Sequence, residues 1–468
     1  MVSMAATAGS PGDITARLER LPLGGPVMRQ VAVLALGCFF ENYFLQMTAY
    51  VAPGMVTSGL YVQKAASFWD MHSVGFFIMA GFAGMMVGSS LFGFVADRFG
   101  RRPIFAWAMV WYSLTTALMG ACHDGALMSG LRFLSSIGLG LELIVVNTYV
   151  SELVSSRVRG RAVAYYQIIA LSAVPLAAFV AWWLTPLAPF GLAGWRWVMW
   201  LGSGAIVLVW WFRRRLCESP RWLAARGRWA EADAATTRIE AAVVASGRVL
   251  PAPVVSEHPT RPDPRVDGGF RDLFRPPYTR RTIMFLIQQT FMPVAFYGFA
   301  SWVPTLLIAK GIAVTESLFY AFLIAFAQPV SPMVQSLFAD RIDRKWQIAL
   351  GGFGSALLIW GFAVQTNPVL VVVFGIGVTF CKTFITTAIA GYMPECYPTV
   401  LRGRGHGLVY GISRLMAALS GLLVAWILAR QGVVGVSALI GVSFAVVALV
   451  TVLLGPAVRG RTLEEINP

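Results

Sequence analysis

The chain has 468 residues, of which 57% are hydrophobic and only 13% are charged, and its mean hydropathy is +0.68. A water-soluble protein of this length cannot bury so much apolar surface, so a soluble enzyme or binding domain is excluded. The formal net charge of +15 would suit a nucleic-acid-binding protein, but the positions of the basic residues indicate a different origin for it.

Twelve apolar stretches follow one another along the chain, each long enough to cross a hydrocarbon layer about 30 Å thick as a helix. They are predicted at 30–56, 72–95, 103–122, 127–149, 162–184, 195–212, 282–308, 316–338, 346–365, 368–391, 404–429 and 432–456. The sequence thus predicts an all-α membrane protein with an N-terminal six-helix bundle at 29–212 and a C-terminal one at 282–456. Residues 213–281 are predicted to be a cytoplasmic linker. Residues 1–28, which have no signal-peptide pattern, and 457–468 are predicted cytoplasmic tails.

Basic residues gather on one side of the predicted membrane. Of the 37 Lys and Arg residues, 30 lie in the tails, the linker and the loops of that side, whereas Lys64, Arg196, Lys310 and Arg430 lie near the other side. By the positive-inside rule both tails face the cytoplasm, and the charge reflects topology and attraction to anionic lipid. Arginine outnumbers lysine by 33 to 4, which is typical of GC-rich bacterial genomes, so we expect a bacterial inner-membrane protein.

Three short motifs recur at a single spacing of 243 residues. Asp97-Arg98 recurs as Asp340-Arg341, Glu152 as Glu395, and Arg159-Gly160-Arg161 as Arg402-Gly403-Arg404. A shared spacing is not expected if membrane proteins merely favour Arg and Gly in cytoplasmic turns, so the two bundles are predicted to be parallel repeats. Carriers with such repeats rock two bundles about a central site.

Longer motifs surround these repeated residues. They include Gly93-Phe-Val-Ala-Asp97-Arg98-Phe-Gly100-Arg101-Arg102, Arg132 with Gly138 and Gly140, Glu218-Ser-Pro-Arg-Trp-Leu223, Gln288-Gln289 and Pro394-Glu395-Cys-Tyr-Pro398. The first resembles the signature loop of the major facilitator superfamily, and the others resemble its sugar porters. The resemblance runs from about residue 30 to the C-terminus and implies a secondary transporter that works by alternating access.

Other motifs depart from the sugar-porter pattern. Val294 stands where sugar porters usually carry Asn, and Lys382 is foreign to their span 10. Phe39-Phe-Glu-Asn-Tyr43, Gly138-Leu-Gly-Leu-Glu142, Tyr297-Gly-Phe-Ala-Ser-Trp302-Val-Pro-Thr305 and Gly411-Ile-Ser-Arg414 are more similar to the organic-acid:proton symporters. That branch includes carriers of niacin-like and benzoate-like acids, so the resemblance implies a small carboxylate substrate.

Ionisable residues inside predicted spans are costly and indicate functional sites. By the resemblance, Glu41 in span 1 and Arg132 in span 4 match an Asp and an Arg that pair in proton-coupled sugar porters. We expect protonation of Glu41 to free Arg132, with a static ion pair as the alternative. Glu142, ten residues beyond Arg132, is predicted to be a second proton site or part of the substrate site, or else to cap a neighbouring helix.

The interior cations Arg132, Lys382 and Arg414 outnumber the two interior carboxylates by one. Because an unpaired buried charge is expensive, we expect a monocarboxylate substrate to complete the set. The two-pronged guanidinium of Arg414 and the ammonium of Lys382 are its predicted ligands. A neutral amine, or a pair with Glu142, is the alternative for Lys382.

Polar side chains complete the predicted pocket. The candidates are Gln167, Gln288, Gln289, Asn147, Tyr43, Gln46, Tyr297 and Trp302. By the resemblance the first three match substrate-binding positions of sugar porters, whereas helix packing is the competing explanation for the other five. The prolines expected to bend their helices are Pro53, Pro175, Pro293, Pro304, Pro329 and Pro332.

Charged residues at the cytoplasmic ends of the spans are predicted to lock the two bundles while the carrier is open outward. They are Asp97, Arg98, Arg101, Arg102, Glu152, Arg159, Asp340, Arg341, Glu395 and Arg402. A simple role in topology and loop ordering is the alternative.

The resulting prediction is a proton symporter that takes up a small organic acid, such as an aromatic or pyridine carboxylate. A proton-coupled sugar transporter and a proton-driven exporter of drugs or metabolites stay open as alternatives. The sequence has no phosphate-binding loop, metal-ligand spacing or nucleophile motif, so we expect no enzyme activity, metal or cofactor, and the proton gradient is the predicted energy source. We expect a monomer in the lipid bilayer whose partners are the acid and the proton, without nucleic acid.

Overall fold

The computed structural model describes residues 11–22, 24–63, 65–91, 95, 98–155, 159–208, 211, 216–253, 269–276, 278–338 and 341–458. Regular structure in these ranges is helical, apart from one isolated β-bridge between Val62 and Ser73. Nine of the helices described are long and apolar enough to cross a membrane, and Val74–Ser90 is a shorter apolar helix.

The helices follow the predicted spans closely. Those of the first half are α1 (Pro11–Glu19), α2 (Gly25–Thr57), α3 (Val74–Leu91), α4 (Arg101–Ala121), α5 (Gly125–Leu153), α6 (Arg159–Leu171), α7 (Ala173–Leu184) and α8 (Gly194–Ser203). The linker contains α9 (Pro220–Ala225) and α10 (Trp229–Ala245), which the sequence analysis did not predict. The second half contains α11 (Tyr278–Ala300), α12 (Val303–Ala309), α13 (Val314–Ala325), α14 (Ala327–Phe338), α15 (Arg344–Val364), α16 (Pro368–Glu395) and α17 (Thr399–Leu454).

Helix boundaries have local causes. Asp124 caps the first turn of α5 by accepting a hydrogen bond from the backbone N–H of Leu127, and Asn367 does the same for α16 just before Pro368. Within α17, Gly432 has φ +64° and ψ −159°, a conformation that side chains disfavour. This residue interrupts α17 between predicted spans 11 and 12.

Three predicted spans are broken in two, and a proline explains each break. The helices α6, α11 and α13 end at Leu171, Ala300 and Ala325, each four residues before a proline. These prolines are Pro175, Pro304 and Pro329. Because proline has no N–H, it cannot donate to the carbonyl four residues earlier, and its ring clashes with that carbonyl. The other prolines expected to bend helices, Pro53, Pro293 and Pro332, lie inside α2, α11 and α14.

The 243-residue repeat is visible as a duplicated ion pair. Arg101 lies 3.1 Å from Glu152, and Arg344 lies 2.9 Å from Glu395. Both members are displaced by 243 residues, from 101 to 344 and from 152 to 395. Each pair joins two helices of its own half, α4 with α5 and α15 with α16. The same interhelical ion pair is therefore present in both halves.

The N-terminal segment packs against the linker. Arg17 of α1 and Arg20, the residue after its end, both form ion pairs with Glu240 of α10, and Glu19 lies 2.7 Å from Arg221 at the start of α9. Burial acts to raise the pKa of the Glu240 carboxyl, but the hydrogen bonds from the two arginines outweigh burial and lower it. Part of the predicted tail is therefore an ordered helix, and the first spanning helix begins at Gly25 rather than near residue 30.

The two halves meet near both faces of the bundle, since α6 contacts α14 and α3 contacts α17. We call the face that carries α9 and α10 the linker face, and the other the opposite face. Near the opposite face, Gln63 donates to the carbonyl of Thr305, and a Cβ placed on Gly75 would lie 2.6 Å from the carbonyl oxygen of Gly421. Further in, the rings of Phe82 and Tyr297 are 4.3 Å apart. These contacts close the space between the halves toward the opposite face.

Candidate functional site

Two buried carboxyl groups lie side by side in the first half. Glu41 of α2 is 3% exposed and Glu142 of α5 is fully buried, and the two carboxyls interact electrostatically. A Cβ on Gly37, one turn before Glu41, would lie 3.3 Å from Oε1 of Glu142 and 2.2 Å from Cζ of Phe105. The missing side chain at position 37 lets α4 and α5 close against α2 at the level of the two carboxyls.

The two carboxyls have few polar partners. Neither oxygen of Glu142, nor Oε2 of Glu41, has a hydrogen-bond partner among the described residues. The thiol of Cys38 lies beside Glu41, and the hydroxyl of Tyr112 beside Glu142. A buried carboxylate without hydrogen bonds is costly, so this pair needs a proton or a cation.

Arg414 supplies a cation from the other half. Its guanidinium interacts electrostatically with Glu41, lies 4.5 Å above the ring of Tyr410 and hydrogen-bonds the Tyr410 hydroxyl. It also interacts with the hydroxyl of Tyr297. Its Nε and Nη1 atoms are buried without a partner in the described part of the chain. Arg414 therefore links the two halves and keeps donors for a further acceptor.

Lys382 of α16 lies against the ring of Phe296, the residue before Tyr297. Its Nζ is 3.9 Å from the ring centroid of Phe296, whose ring packs edge-on against Tyr297. The side chain is fully buried, and Nζ has no hydrogen-bond partner among the residues described. Beside it is a cavity of about 10 Å³, room for about one water molecule, into which Gln328 also projects.

Broken helices explain how a lysine is tolerated there. Ala300 and Ala325, the last residues of α11 and α13, line the same cavity as Lys382. Helix C-termini carry a partial negative charge of about half an elementary charge, because their last carbonyls lack intrahelical donors. Pro304 and Pro329 remove the N–H groups that would bond the carbonyls of Ala300 and Ala325, and both of these residues line the cavity beside Lys382.

Arg132 does not meet Glu41 in this structure. Its Nη1 donates to the carbonyl of Phe44 at 3.2 Å, its guanidinium lies 5.7 Å from the ring of Phe77, and no ion pair to it is present in the described ranges. Depth is the reason. Counted from the opposite face at 1.5 Å per residue, Arg132 lies about 10 Å deep in α5, whereas Glu41 lies roughly 24 Å deep in α2. Glu142, at about 26 Å, is level with Glu41 instead.

The polar pocket candidates separate into two groups. Tyr297 contacts the cationic site, whereas Tyr43 donates to the carbonyl of Val198 and Gln288 donates to Thr451, both of which are contacts between neighbouring helices. Gln46 and Trp302 are buried, Gln167 and Gln289 are half-buried, and the side chain of Asn147 lies outside the described residues.

The ion pairs that the described gate residues form lie within single halves. Arg101 pairs with Glu152, and Glu395 pairs with Arg344, which the sequence analysis did not name. Arg98 and Arg341 are exposed, and Arg102 lies at the start of α4 beside Glu218. Asp97, Asp340 and the side chains of Arg159 and Arg402 lie outside the described residues.

The stretch of α17 between the linker face and Arg414 has little packed against it. Gly403, Gly407 and Gly411 follow one another at four-residue spacing on α17, and a Cβ at any of them would meet nothing within 4 Å. At 100° per residue, Gly403 and Gly407 point within about 20° of the direction of Arg414. The face of α17 that carries Arg414 is therefore loosely packed toward the linker face.

Sequence reasoning missed several residues of this site. The ring of Phe296 contacts Lys382, the ring of Tyr410 contacts Arg414, and Gln328 lines the Lys382 cavity. Phe296 directly precedes Tyr297, and Tyr410 lies one helical turn before Arg414. Their closeness in sequence to these two predicted residues was the only signal for them.

Spanning helices in two repeated halves, with buried charges between them, define a membrane transporter of the major facilitator fold. The chain belongs to the family described as "Sugar (and other) transporter", whose profile matches residues 31–468. It is similar to the putative metabolite transport protein YyaJ of Bacillus subtilis (strain 168), with 31% identity over 96% of each chain. It is also similar to the niacin transporter NiaP of Acinetobacter baylyi, with 27% identity over 97% of this chain and 100% of the relative.

A solved structure shares the fold. The partially occluded inward-open conformation of the xylose transporter XylE from E. coli superposes with a TM-score of 0.71 at 16% identity, covering 92% of this chain and 100% of that one. The protein is a multi-pass membrane transporter and not an enzyme.

Proposed function

We propose that the protein is a proton-coupled symporter that takes up a small aromatic monocarboxylate, such as a pyridine carboxylate, across a bacterial inner membrane. The observation that carries the proposal is Arg414, a buried guanidinium with two nitrogen atoms that no described group satisfies. A carboxylate satisfies such donors with strong, charge-assisted hydrogen bonds. The name of the niacin transporter relative agrees with such a substrate.

The aromatic lining supports a ring on the substrate. Phe296, Tyr297 and Tyr410 form the surface between Lys382 and Arg414, with cation-to-ring distances of 3.9 Å at Phe296 and 4.5 Å at Tyr410. A flat aromatic acid can pack edge-to-face or offset on these rings while its carboxylate reaches a cation. A hexose has no charge to satisfy either cation.

Competition for Arg414 couples the proton to the substrate. While Glu41 is ionised, it attracts the guanidinium of Arg414; once Glu41 takes up a proton, the guanidinium is released to the substrate carboxylate. Proton and monocarboxylate then enter together, and their charges cancel in the cavity. Glu142 can share the proton, because it lies at the depth of Glu41 and has no donor of its own among the described residues. Arg132, whose partner here is a backbone carbonyl, stays a predicted coupling residue.

Alternating access follows from the two faces. The linker face is taken as cytoplasmic, as the positive-inside rule predicts for the basic linker and tails. The loosely packed stretch of α17 then faces the cytoplasm, and the contacts between Gly75 and Gly421 close the outer side. Substrate release would occur from this conformation, and capture from one in which those contacts have parted.

The test is uptake into proteoliposomes under an imposed pH gradient, with labelled pyridine carboxylates, benzoates, aliphatic acids and hexoses. We expect accumulation of aromatic acids against their gradient, and equilibration without accumulation for Glu41→Gln. Arg414→Lys is expected to lose uptake, whereas Arg430→Lys, a control on the same helix stacked on Trp426, is expected to retain it. Hexose uptake without acid uptake would overturn the substrate class, and undiminished accumulation by Glu41→Gln would overturn the coupling.

A further inference from the structure

A thiol and a phenol lie next to Glu41, and the exchange of Arg414 between Glu41 and the substrate does not use either of them. Cys38 precedes Glu41 by three residues on α2, so the two side chains are neighbours on one side of the helix. The Cys38 thiol lies beside the Glu41 carboxyl, and the hydroxyl of Tyr166 on α6 donates a hydrogen bond to its sulfur at 3.1 Å. All three side chains are buried. Tyr166, Cys38 and Glu41 thus form one chain of polar groups between α6 and α2, which we call the Glu41 relay.

The chemistry of the three groups gives the relay a direction. A thiol has one hydrogen to donate and a sulfur that accepts weakly, whereas an ionised carboxylate only accepts. Because the sulfur of Cys38 accepts from Tyr166, its own hydrogen is left for the neighbouring carboxyl. Glu41 needs such a donor when it is ionised, since its Oε2 has no hydrogen-bond partner among the described residues.

Other titratable groups also face Glu41, from both halves of the protein. Among the described residues they are Glu142 of α5, Tyr112 of α4, and Arg414 and Tyr410 of α17. Glu142 is a second carboxyl, and it repels a negative charge on Glu41. Arg414 attracts that charge but belongs to the second half. Cys38 and Tyr166 stay in the first half with Glu41, so their support for the carboxylate does not depend on where the second half stands.

We propose that Cys38 and Tyr166 are positioning residues for the proton on Glu41: their hydrogen bonds stabilise the ionised carboxylate and so set the pH at which Glu41 gives up its proton. Their role in transport rests on the proposed function of Glu41 as the coupling group, whereas the hydrogen bonds themselves need no substrate. Without the thiol, Glu41 keeps its proton to a higher pH. A purely structural role, in which the two side chains only pack α6 against α2, leaves that pH unchanged.

Infrared spectroscopy of the purified full-length protein over a series of pH values tests the relay without a substrate. The S–H stretch of Cys38 is identified by its loss in Cys38→Ala, and the carbonyl stretch of protonated Glu41 by its loss in Glu41→Gln. As Glu41 ionises, we expect the S–H band to move to lower frequency, because a hydrogen bond to a carboxylate weakens the S–H bond. In Glu41→Gln this band is expected to stay in place.

The carbonyl band of Glu41 measures what the relay contributes. In Cys38→Ala we expect it to disappear at a pH higher by about one unit, the size expected when a charged group loses one hydrogen bond. Tyr166→Phe should shift it in the same direction but less, since the thiol remains. Cys38→Ser keeps a donor and is expected to titrate like wild type. Cys122→Ala is the matched control, because this buried thiol donates to the carbonyl of Asp124 instead of a carboxyl.

An S–H frequency that stays fixed across the titration, or equal titration of Glu41 in Cys38→Ala and wild type, would overturn the proposal. Binding of labelled pyridine-3-carboxylate over the same pH series separates this result from the proposed function. We expect its affinity to fall at a higher pH in Cys38→Ala, by the same shift. Infrared shifts together with pH-independent binding would support the relay and contradict the coupling role of Glu41. Unshifted infrared bands together with pH-dependent binding would do the reverse.

Discussion

Replacing Gly75 by alanine is expected to shift the protein toward the state that is open at the opposite face. The added Cβ would lie 2.6 Å from the carbonyl oxygen of Gly421 and 2.5 Å from Cβ of Ala425. Ordinary contacts begin at 3.4 Å, so α3 and α17 have to separate by close to 1 Å. Overpacking of this kind costs about 1–3 kcal/mol, and here the cost falls only on the state in which the two helices touch. The equilibrium between the two states should therefore move by roughly 5–150-fold.

Cysteine accessibility measures this shift. A reporter introduced by Gly407→Cys, on the open stretch of α17, is expected to react with a membrane-impermeant maleimide from the linker face in the parent protein and several-fold more slowly once Gly75→Ala is added. Gly130→Ala is the matched control, since a Cβ there meets nothing within 4 Å. Unchanged reactivity of the reporter in Gly75→Ala would refute the reasoning that this contact closes the opposite face.

Three more perturbations test other parts of the structure. Gly37→Ala forces Phe105 out of place and should lower the free energy of unfolding by about 1–3 kcal/mol, measured by thermal unfolding in detergent. Lys382→Met should weaken substrate binding in a competition assay without lowering the melting temperature, since it removes a buried charge and conserves volume. Glu240 has a lowered pKa, so its stabilising contact with α1 should be complete above pH 4.5, be lost as the pH falls through the lowered value, and be absent in Glu240→Gln at pH 7, as measured by proteolysis of α1.

These three tests have outcomes that contradict them. A melting temperature of Gly37→Ala equal to that of wild type would show that Phe105 moves freely. Unaltered substrate competition in Lys382→Met would remove this lysine from the site. Equal proteolysis of α1 in wild type and Glu240→Gln at neutral pH would show that apolar packing alone holds α1.

The spans and the repeat could be predicted because each rests on a local or periodic pattern. About 20 consecutive apolar residues have no stable place except a membrane. A repeat spacing of 243 residues can be read from the sequence without knowing how the loops fold. The duplicated ion pair was half predicted: Glu152 and Glu395 were named, and the same spacing applied to Arg101 points to Arg344. The linker helices and α1 were missed because their stability comes from contacts between segments more than 200 residues apart.

The buried charges were located correctly, but the predicted partner of Arg132 was wrong. Pairing Glu41 with Arg132 needed the depth of each residue, and the predicted spans 30–56 and 127–149 already place Glu41 about 22 Å and Arg132 about 8 Å from the opposite face. The expected anionic partner of Lys382 was inferred from counting side-chain charges. Partial charges on helix ends do not appear in such a count, and they arise only once Pro304 and Pro329 have divided their spans.

Pro304 and Pro329 therefore govern two properties at once. A substitution that restored a continuous helix at either position would stiffen a span and also withdraw an exposed carbonyl end from the neighbourhood of Lys382. A related carrier that lacks either proline is expected to hold an uncharged residue where this protein has Lys382.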